Sequence, residues 1–370
     1  MKCLYDNDNV DDVISPVLIY YKKIIIDNIK LSIKIAGSAD RLWPHVKTHK
    51  SESMVKLQQS LGINKFKCAT IAEAEMLAMA RAEKIVLAYP LVGPNIKRFL
   101  QLIKTYPDST FYAIGDDYDT IKKLGEAAVK NDMIVSMMID VNMGMDRTGA
   151  PIDEVEALYA RCAELPGIEM TGLHCYDGNH HESDVNERTA RVSEVDKKIE
   201  TVVSCLEAKK IKCPILIMGG SPSFPCHAKL TKYYLSPGTV FINDAGYRNG
   251  FKDLPFVPAA ALLTRVISHP VKGSFTLDLG YKAIASDPQG VRGELQNWPN
   301  AEPVLQNEEH WVFKMKKGHE NEVPPIGTVL YVIPTHICPT SALYPSVLVS
   351  ENGKITESWD VTARNRKINI

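Results

Sequence analysis

From about residue 33 to residue 242 the chain alternates short β-rich runs with amphipathic stretches at the spacing of repeated βα units. Such alternation commits it to a parallel sheet covered by helices, because neighbouring parallel strands need a crossover between them. The runs fall at residues 42–46, 65–69, 84–88, 109–114, 134–141, 169–175, 215–218 and 240–242, and eight of them predict a (β/α)8 barrel of the α/β class. Between them, residues 71–80 form a strong helix pattern that Thr70 caps, with Glu73 three residues on to answer it. Residues 119–131, 153–165 and 182–209 read as helices in the same way. Chemistry in such a barrel sits at the C-terminal ends of the strands, so the residues just after each run carry the functional information.

Beyond Gly250 the texture changes. Prolines such as Pro255, Pro258, Pro270, Pro288 and Pro299 punctuate short alternating runs, 262–268 and 274–279 among them, which predicts a second, all-β domain. The expected division is 27–250 for the barrel and 251–370 for the all-β domain, with residues 1–26 a candidate to pair with the latter through Val17-Leu18-Ile19-Tyr20-Tyr21. A length of 370 residues suits two such units. A formal net charge of −1 offers no basic surface to nucleic acid or an anionic membrane and favours a small ligand. No apolar run approaches the ~18 residues of a membrane span, and the acidic start lacks the apolar stretch of a signal peptide, so a cytoplasmic location is expected. Eight cysteines, at 3, 68, 162, 175, 205, 213, 226 and 338, form no Cys-x-x-Cys pair, which points to reduced thiols.

The first barrel run ends in His45-Val46-Lys47-Thr48-His49-Lys50. Two readings are open for Lys47: a solvated basic turn, or an amine at the barrel mouth that forms a Schiff base with an aldehyde cofactor, helped by desolvation. Met218-Gly219-Gly220-Ser221-Pro222-Ser223 follows another apolar run; it is either an ordinary turn or a phosphate cradle in which glycine lets backbone N–H groups approach an anion. Pro334-Thr335-His336-Ile337-Cys338-Pro339-Thr340 sets a histidine and a cysteine two residues apart. On an extended strand both side chains project from one face and reach one metal, although such a pair is also an ordinary structural feature.

The segment Arg41-Leu42-Trp43-Pro44-His45-Val46-Lys47-Thr48-His49-Lys50 resembles the signature of the D-threonine aldolase and D-serine dehydratase family, related to the N-terminal domain of alanine racemases. The likeness runs through most of the chain after the first twenty-five residues or so. It implies pyridoxal 5'-phosphate on Lys47, with the phosphate held at Gly219, Gly220 and Ser221 and at Gly238 and Thr239 of Pro237-Gly238-Thr239. Arg147, in Asp140-Val141-Asn142-Met143-Gly144-Met145-Asp146-Arg147-Thr148-Gly149, is placed by the resemblance on the cofactor's phenolic oxygen; a surface ion pair with Asp140 or Asp146 is the other reading. Tyr176, in Gly172-Leu173-His174-Cys175-Tyr176-Asp177-Gly178, corresponds to the family's aromatic beside the pyridine ring. A tyrosine there in place of an acid leaves the ring nitrogen unprotonated and favours help from a metal. The resemblance further implies a divalent metal, zinc or manganese, on His336 and Cys338, with the thiolate favouring zinc, and a base at His181 of Asn179-His180-His181-Glu182. It implies a homodimer as well. Residues 277–287 and 307–310, the latter including Glu309 and His310, are also family-like but receive no chemical step.

The expected function is therefore a metal-assisted lyase on D-β-hydroxy amino acids, first as D-threonine aldolase. A base such as His181 removes the β-hydroxyl proton, the Cα–Cβ bond breaks, and glycine and an aldehyde result. The alternative is a D-serine or 3-hydroxy-D-amino-acid dehydratase, in which Lys47 removes the Cα proton and the β-hydroxyl leaves, giving a keto acid and ammonia. The histidine pair after Gly178 tips the choice to the aldolase. An amino-acid racemase needs a second acid-base residue and no metal, which His336 and Cys338 oppose. A non-catalytic pyridoxal-phosphate carrier is a single barrel, which the β domain opposes.

Overall fold

Strand β1 (Val17–Tyr21) runs directly into helix α1 (Lys22–Ala36), the first of the elements in a computed structural model that describes residues 4–370. Cys3 lies outside the described residues. Two compact units divide the chain. One gathers Ser32–Lys47, Met54–Gly238 and Asn365–Ile370; the other gathers Met1–Leu31, Thr48–Ser53 and Thr239–Arg364.

The first unit is built on seven parallel strands in sequential order: β2 (Lys65–Cys68), β3 (Lys84–Leu87), β4 (Thr110–Gly115), β5 (Val135–Asp140), β6 (Ile168–Cys175), β7 (Ile215–Met218) and β8 (Tyr234–Leu235). Helices α2 (Glu52–Ser60), α3 (Ile71–Met79), α4 (Pro94–Thr105), α5 (Tyr118–Val129), α6 (Val155–Cys162), α7 (Val185–Ala208) and α8 (Phe224–His227) alternate with them. Strands covered on both sides read as continuous apolar runs, as β7 does with Ile215-Leu216-Ile217-Met218. The cap expected on α3 is present: the Thr70 hydroxyl accepts from Glu73 N at 3.1 Å, while Glu73 Oε2 accepts from Ala69 N at 2.7 Å.

The first expected strand, 42–46, is a connecting rung. Leu42 bridges Leu235 of β8 and His45 bridges Lys67 of β2, so this segment joins the last strand to the first and closes the ring. Pro44 has no N–H to give, and its carbonyl accepts from Lys67 N at 2.8 Å, which keeps the segment from pairing as a regular strand. Trp43, Val86, Tyr112, Ile114, Met138 and Ile217 pack together in this unit. Gly172 marks a place where backbones crowd, since a Cβ there would lie 1.9 Å from the Ile215 carbonyl oxygen. The last expected strand, 240–242, is instead a 3-10 turn, Thr239–Phe241, and the final strand is the two-residue β8 just before it. Valine and isoleucine propensity misled there because a local turn won.

The second unit is a nine-stranded, mostly antiparallel sheet. Its order is β12 (Ala301–Gln306), β13 (Trp311–Met315), β10 (Ser274–Leu277), β9 (Ala260–Ser268), β1, β15 (Ser346–Glu351) and β16 (Lys354–Asp360), with β14 (Val329–Pro334) on β9 and β11 (Gly293–Leu295) on β14. β1 is antiparallel to β9 and parallel to β15. Ile19, Tyr21, Leu263, Tyr331 and Ile333 form its core. Helices α9 (Ala245–Gly250) and α10 (Ile337–Leu343) complete it. The class is thus the expected one, a parallel α/β ring with a second, β-rich unit. Among the described residues no helix is long and apolar enough to cross a membrane, and the seven described cysteines are free thiols.

Candidate active site

The 3-10 turn Val46–Thr48 follows the closing rung and carries Lys47, whose backbone N–H is held by His45 Nδ1 at 3.2 Å. Its Nζ lies 5.6 Å from the centroid of the Tyr176 ring, and Tyr176 is the first residue after β6. Two more cations converge on the same ring within this unit: Lys67 Nζ at 5.4 Å and Arg147 Cζ at 5.2 Å. Such distances are those of cation–π contacts. Among the described residues none of the three cations makes an ion pair. The surface pairing considered for Arg147 is absent: Asp140 is engaged by His174, and Asp146 Oδ1 accepts from Asn142 Nδ2 at 2.9 Å.

Lys67 was not singled out from the sequence. It lies in β2 and is 1 % exposed, with its Nζ 3.4 Å from His174 Nε2, while His174 Nδ1 is 2.7 Å from Asp140 Oδ1. Burial, then the charge of Lys67, lower the His174 pKa, so the ring is neutral near pH 7. Its one proton sits on Nδ1 toward the carboxylate, leaving Nε2 to accept from the Lys67 amine. Burial foremost, then Lys47, bring the Lys67 pKa down to about 7.

The loop after β7 packs against the same tyrosine. A Cβ on Gly220 would lie 2.9 Å from Tyr176 Cε2, so only glycine allows this approach. Gly219 has φ +81°, and a Cβ there would meet His227 Cδ2 at 2.9 Å. The N–H groups expected to meet a phosphate serve the loop's own frame: Gly219 N donates to Cys175 O at 3.0 Å, Gly220 N to Ser223 Oγ at 2.9 Å, and Gly238 N to Ser221 Oγ at 3.1 Å. Gly220 leaves room beside the ring. Beneath the loop Ser223 Oγ donates to Asp177 Oδ1 at 2.6 Å, and the His227 ring bridges Asp177 Oδ2 at 2.9 Å and Asp196 Oδ1 at 2.8 Å. Although burial opposes its charge, the two carboxylates push the His227 pKa up to about 10, and Asp177 is correspondingly lowered.

The two histidines of the pair differ in placement. His181 is exposed, whereas His180 is buried and neither of its ring nitrogens has a hydrogen-bond partner. The turn from Asp177, whose carbonyl accepts from His180 N at 2.9 Å, aims His180 inward.

In the β-rich unit, His336 and Cys338 do not lie on a strand. β14 ends at Pro334, His336 is the N-cap of α10, and Cys338 is in its first turn. Proline at the third helical position, Pro339, was the sequence signal for this start. The two side chains nevertheless interact. His336 Nδ1 is bonded to Asp287 Oδ2, as in a carboxylate–histidine pair, so Nε2 is the ring nitrogen that could serve as a ligand. Cys338 Sγ lies 3.2 Å from Thr48 Oγ1 and 3.5 Å from Thr239 Oγ1, so the Thr239 hydroxyl faces this thiol.

Residues 23–242 match the family model of the alanine racemase N-terminal domain. The chain belongs to that family. Its β-rich part adds a match over residues 259–350 to a family described as "Putative serine dehydratase domain". Among curated relatives of this alanine racemase-like chain, a D-threonine aldolase of Arthrobacter sp. is 27% identical over 331 residues, covering 87% of this chain and 85% of that one. The solved D-threonine aldolase of Filomicrobium marinum superposes with a TM-score of 0.87 at 24% identity, over 98% of this chain and 99% of the other. A D-threo-3-hydroxyaspartate dehydratase, solved as a cysteine-to-alanine mutant in the metal-free form, gives 0.85 at 19% identity, over 94% and 97%.

Proposed function

We propose that this alanine racemase-like protein is a pyridoxal-phosphate-dependent lyase on D-β-hydroxy amino acids, acting first as a D-threonine aldolase. One observation carries the cofactor assignment: Lys47, Lys67 and Arg147 surround the Tyr176 ring without an ion pair of their own, beside a glycine that leaves space against it. A flat ligand bearing several negative charges suits that arrangement. Bound pyridoxal phosphate supplies an aldehyde for a lysine amine and withdraws electrons from the substrate's Cα. Lys47 would hold it and move the proton at Cα, and Arg147, Tyr176 and the loop residues Gly219, Gly220, Ser221 and Gly238 are the others that would hold the group. The base for the β-hydroxyl proton, expected at His181, is better served by His180, which is buried, makes no hydrogen bond through its ring and has Nδ1 3.9 Å from Glu182 Oε1.

His336 and Cys338 fit a divalent metal, zinc or manganese, because an oriented imidazole and a thiol leave further coordination positions open. Among the described residues no group of three or more His, Cys, Asp or Glu is arranged to hold one, so the protein would supply only this pair. Such an ion is a Lewis acid toward a β-hydroxyl. The dehydratase is the second reading, favoured by the family match over residues 259–350. The resemblance supports a homodimer.

Product analysis tests the assignment. With D-threonine and D-allo-threonine, glycine and acetaldehyde are expected, with L-enantiomers inert. A keto acid with ammonia from these or from D-serine moves the assignment to dehydratase, and no turnover of any D-substrate overturns it. Exhaustive chelation should lower the rate by at least about tenfold, with recovery on adding Zn2+ or Mn2+. An unchanged rate after complete metal removal contradicts the role given to His336 and Cys338.

A further inference from the structure

Lys67 has no part in the reaction outlined above, and its placement is unusual. A lysine inside a parallel strand covered on both sides gives up its hydration and ordinarily finds a carboxylate in return. Lys67 is 1 % exposed and makes no ion pair among the described residues. What faces it instead is His174 from β6 at 3.4 Å, the Tyr176 ring at 5.4 Å and, further off, charges from four other positions. Lys47 and Arg147 oppose its charge, whereas Asp140 from β5 and Asp177 after β6 favour it. Both carboxylates are committed elsewhere, Asp140 to His174 and Asp177 to His227 and Ser223.

We propose that Lys67 is a cofactor-positioning residue, a buried amine fixed by His174 and Asp140 against Tyr176, whose positive charge adds to those of Lys47 and Arg147 in holding the anionic ring-bearing ligand. This rests on the pyridoxal-phosphate assignment above. The hydrogen-bond order follows from the tautomer: Asp140 accepts from His174 Nδ1–H, and His174 Nε2 accepts from Lys67. Such a chain fixes the amine in place whether it is charged or neutral. Because the Lys67 pKa is lowered toward neutrality, the charge is present in mildly acidic solution and is lost as pH rises through about 7. Cofactor affinity therefore contains a component that declines across neutrality.

The test is titration of the full-length protein with pyridoxal phosphate, followed by absorbance, from about pH 6 to about pH 9 for wild type, Lys67→Met and Lys67→Arg. Ionisation of the phosphate is common to all three, so it cancels when the variants are compared at each pH. At the acidic end Lys67→Met should bind about tenfold more weakly than wild type, and the two should converge at the alkaline end. Lys67→Arg, a cation that does not titrate in this range, should keep the tight binding throughout. If Lys67→Met fails to fold, as judged by circular dichroism, the Arg variant decides: an arginine protein with the wild-type pH dependence overturns the proposal. So does a Lys67→Met protein that equals wild type at every pH, or that is weaker by one constant factor, as a merely structural role predicts. Wild type that is folded yet binds no pyridoxal phosphate at any pH overturns the cofactor assignment itself, a result distinct from either of these.

Discussion

Replacing Lys47 by alanine should lower turnover of D-threonine by at least about a thousandfold and abolish the visible absorbance of the bound cofactor. The size of the effect follows from the absence of an equivalent amine. Lys67 lies at a similar distance from Tyr176, 5.4 against 5.6 Å, but it belongs to the interior of β2 and its Nζ is tied to His174. It lacks the partly buried position in the turn after the closing rung that Lys47 has. Stability should change little, within about 0.5 kcal/mol, because Lys47 is only partly buried and its side chain makes no ion pair. A variant that keeps both absorbance and turnover contradicts the assignment of Lys47, and one that loses them by unfolding is recognised from its thermal midpoint.

The second large effect is on stability. His227→Leu should destabilise the protein by about 3–5 kcal/mol, because it leaves the buried Asp177 and Asp196 carboxylates without the imidazole between them. The loss reaches the glycine loop after β7 too, since Ser223 joins Asp177 to Gly220 N. The same network makes stability depend on pH. His227 is pushed up to about 10 from 6.5, so its contribution is complete below about 6.5 and is lost as pH rises toward 10. Asp177 is lowered, so its contribution is present above 3.8 and is lost as pH falls through its folded value. Wild-type denaturant midpoints should therefore decline on the alkaline side, and His227→Leu should lack that decline. A variant as stable as wild type, with the same alkaline limb, contradicts the charged bridge.

How much of this was legible in the sequence varies with the range of the interaction. Local patterns carried well: the helix at Ile71–Met79 and its Thr70 cap are written within a few residues of each other. The bridge of His227 to Asp177 and Asp196 spans 50 and 31 residues and becomes visible only when two helices and a strand end meet. Lys67 left a usable trace, because Lys65-Phe66-Lys67-Cys68 puts charge inside a strand whose neighbours demand apolar cover. Its contact with His174 did not. Around His336 and Cys338 the backbone is a helix start and not the expected strand, and Pro339 in the first turn is compatible with that start. The burial of His180 and the exposure of His181 follow from one residue of turn geometry, which composition cannot supply.

The most direct test is to reduce the pyridoxal-phosphate-loaded protein with borohydride and map the modified peptide by mass spectrometry. The account predicts a pyridoxyl group on Lys47 alone, in the peptide containing His45-Val46-Lys47-Thr48-His49-Lys50. Modification of Lys67 in its place, or of no lysine in this site, would contradict it.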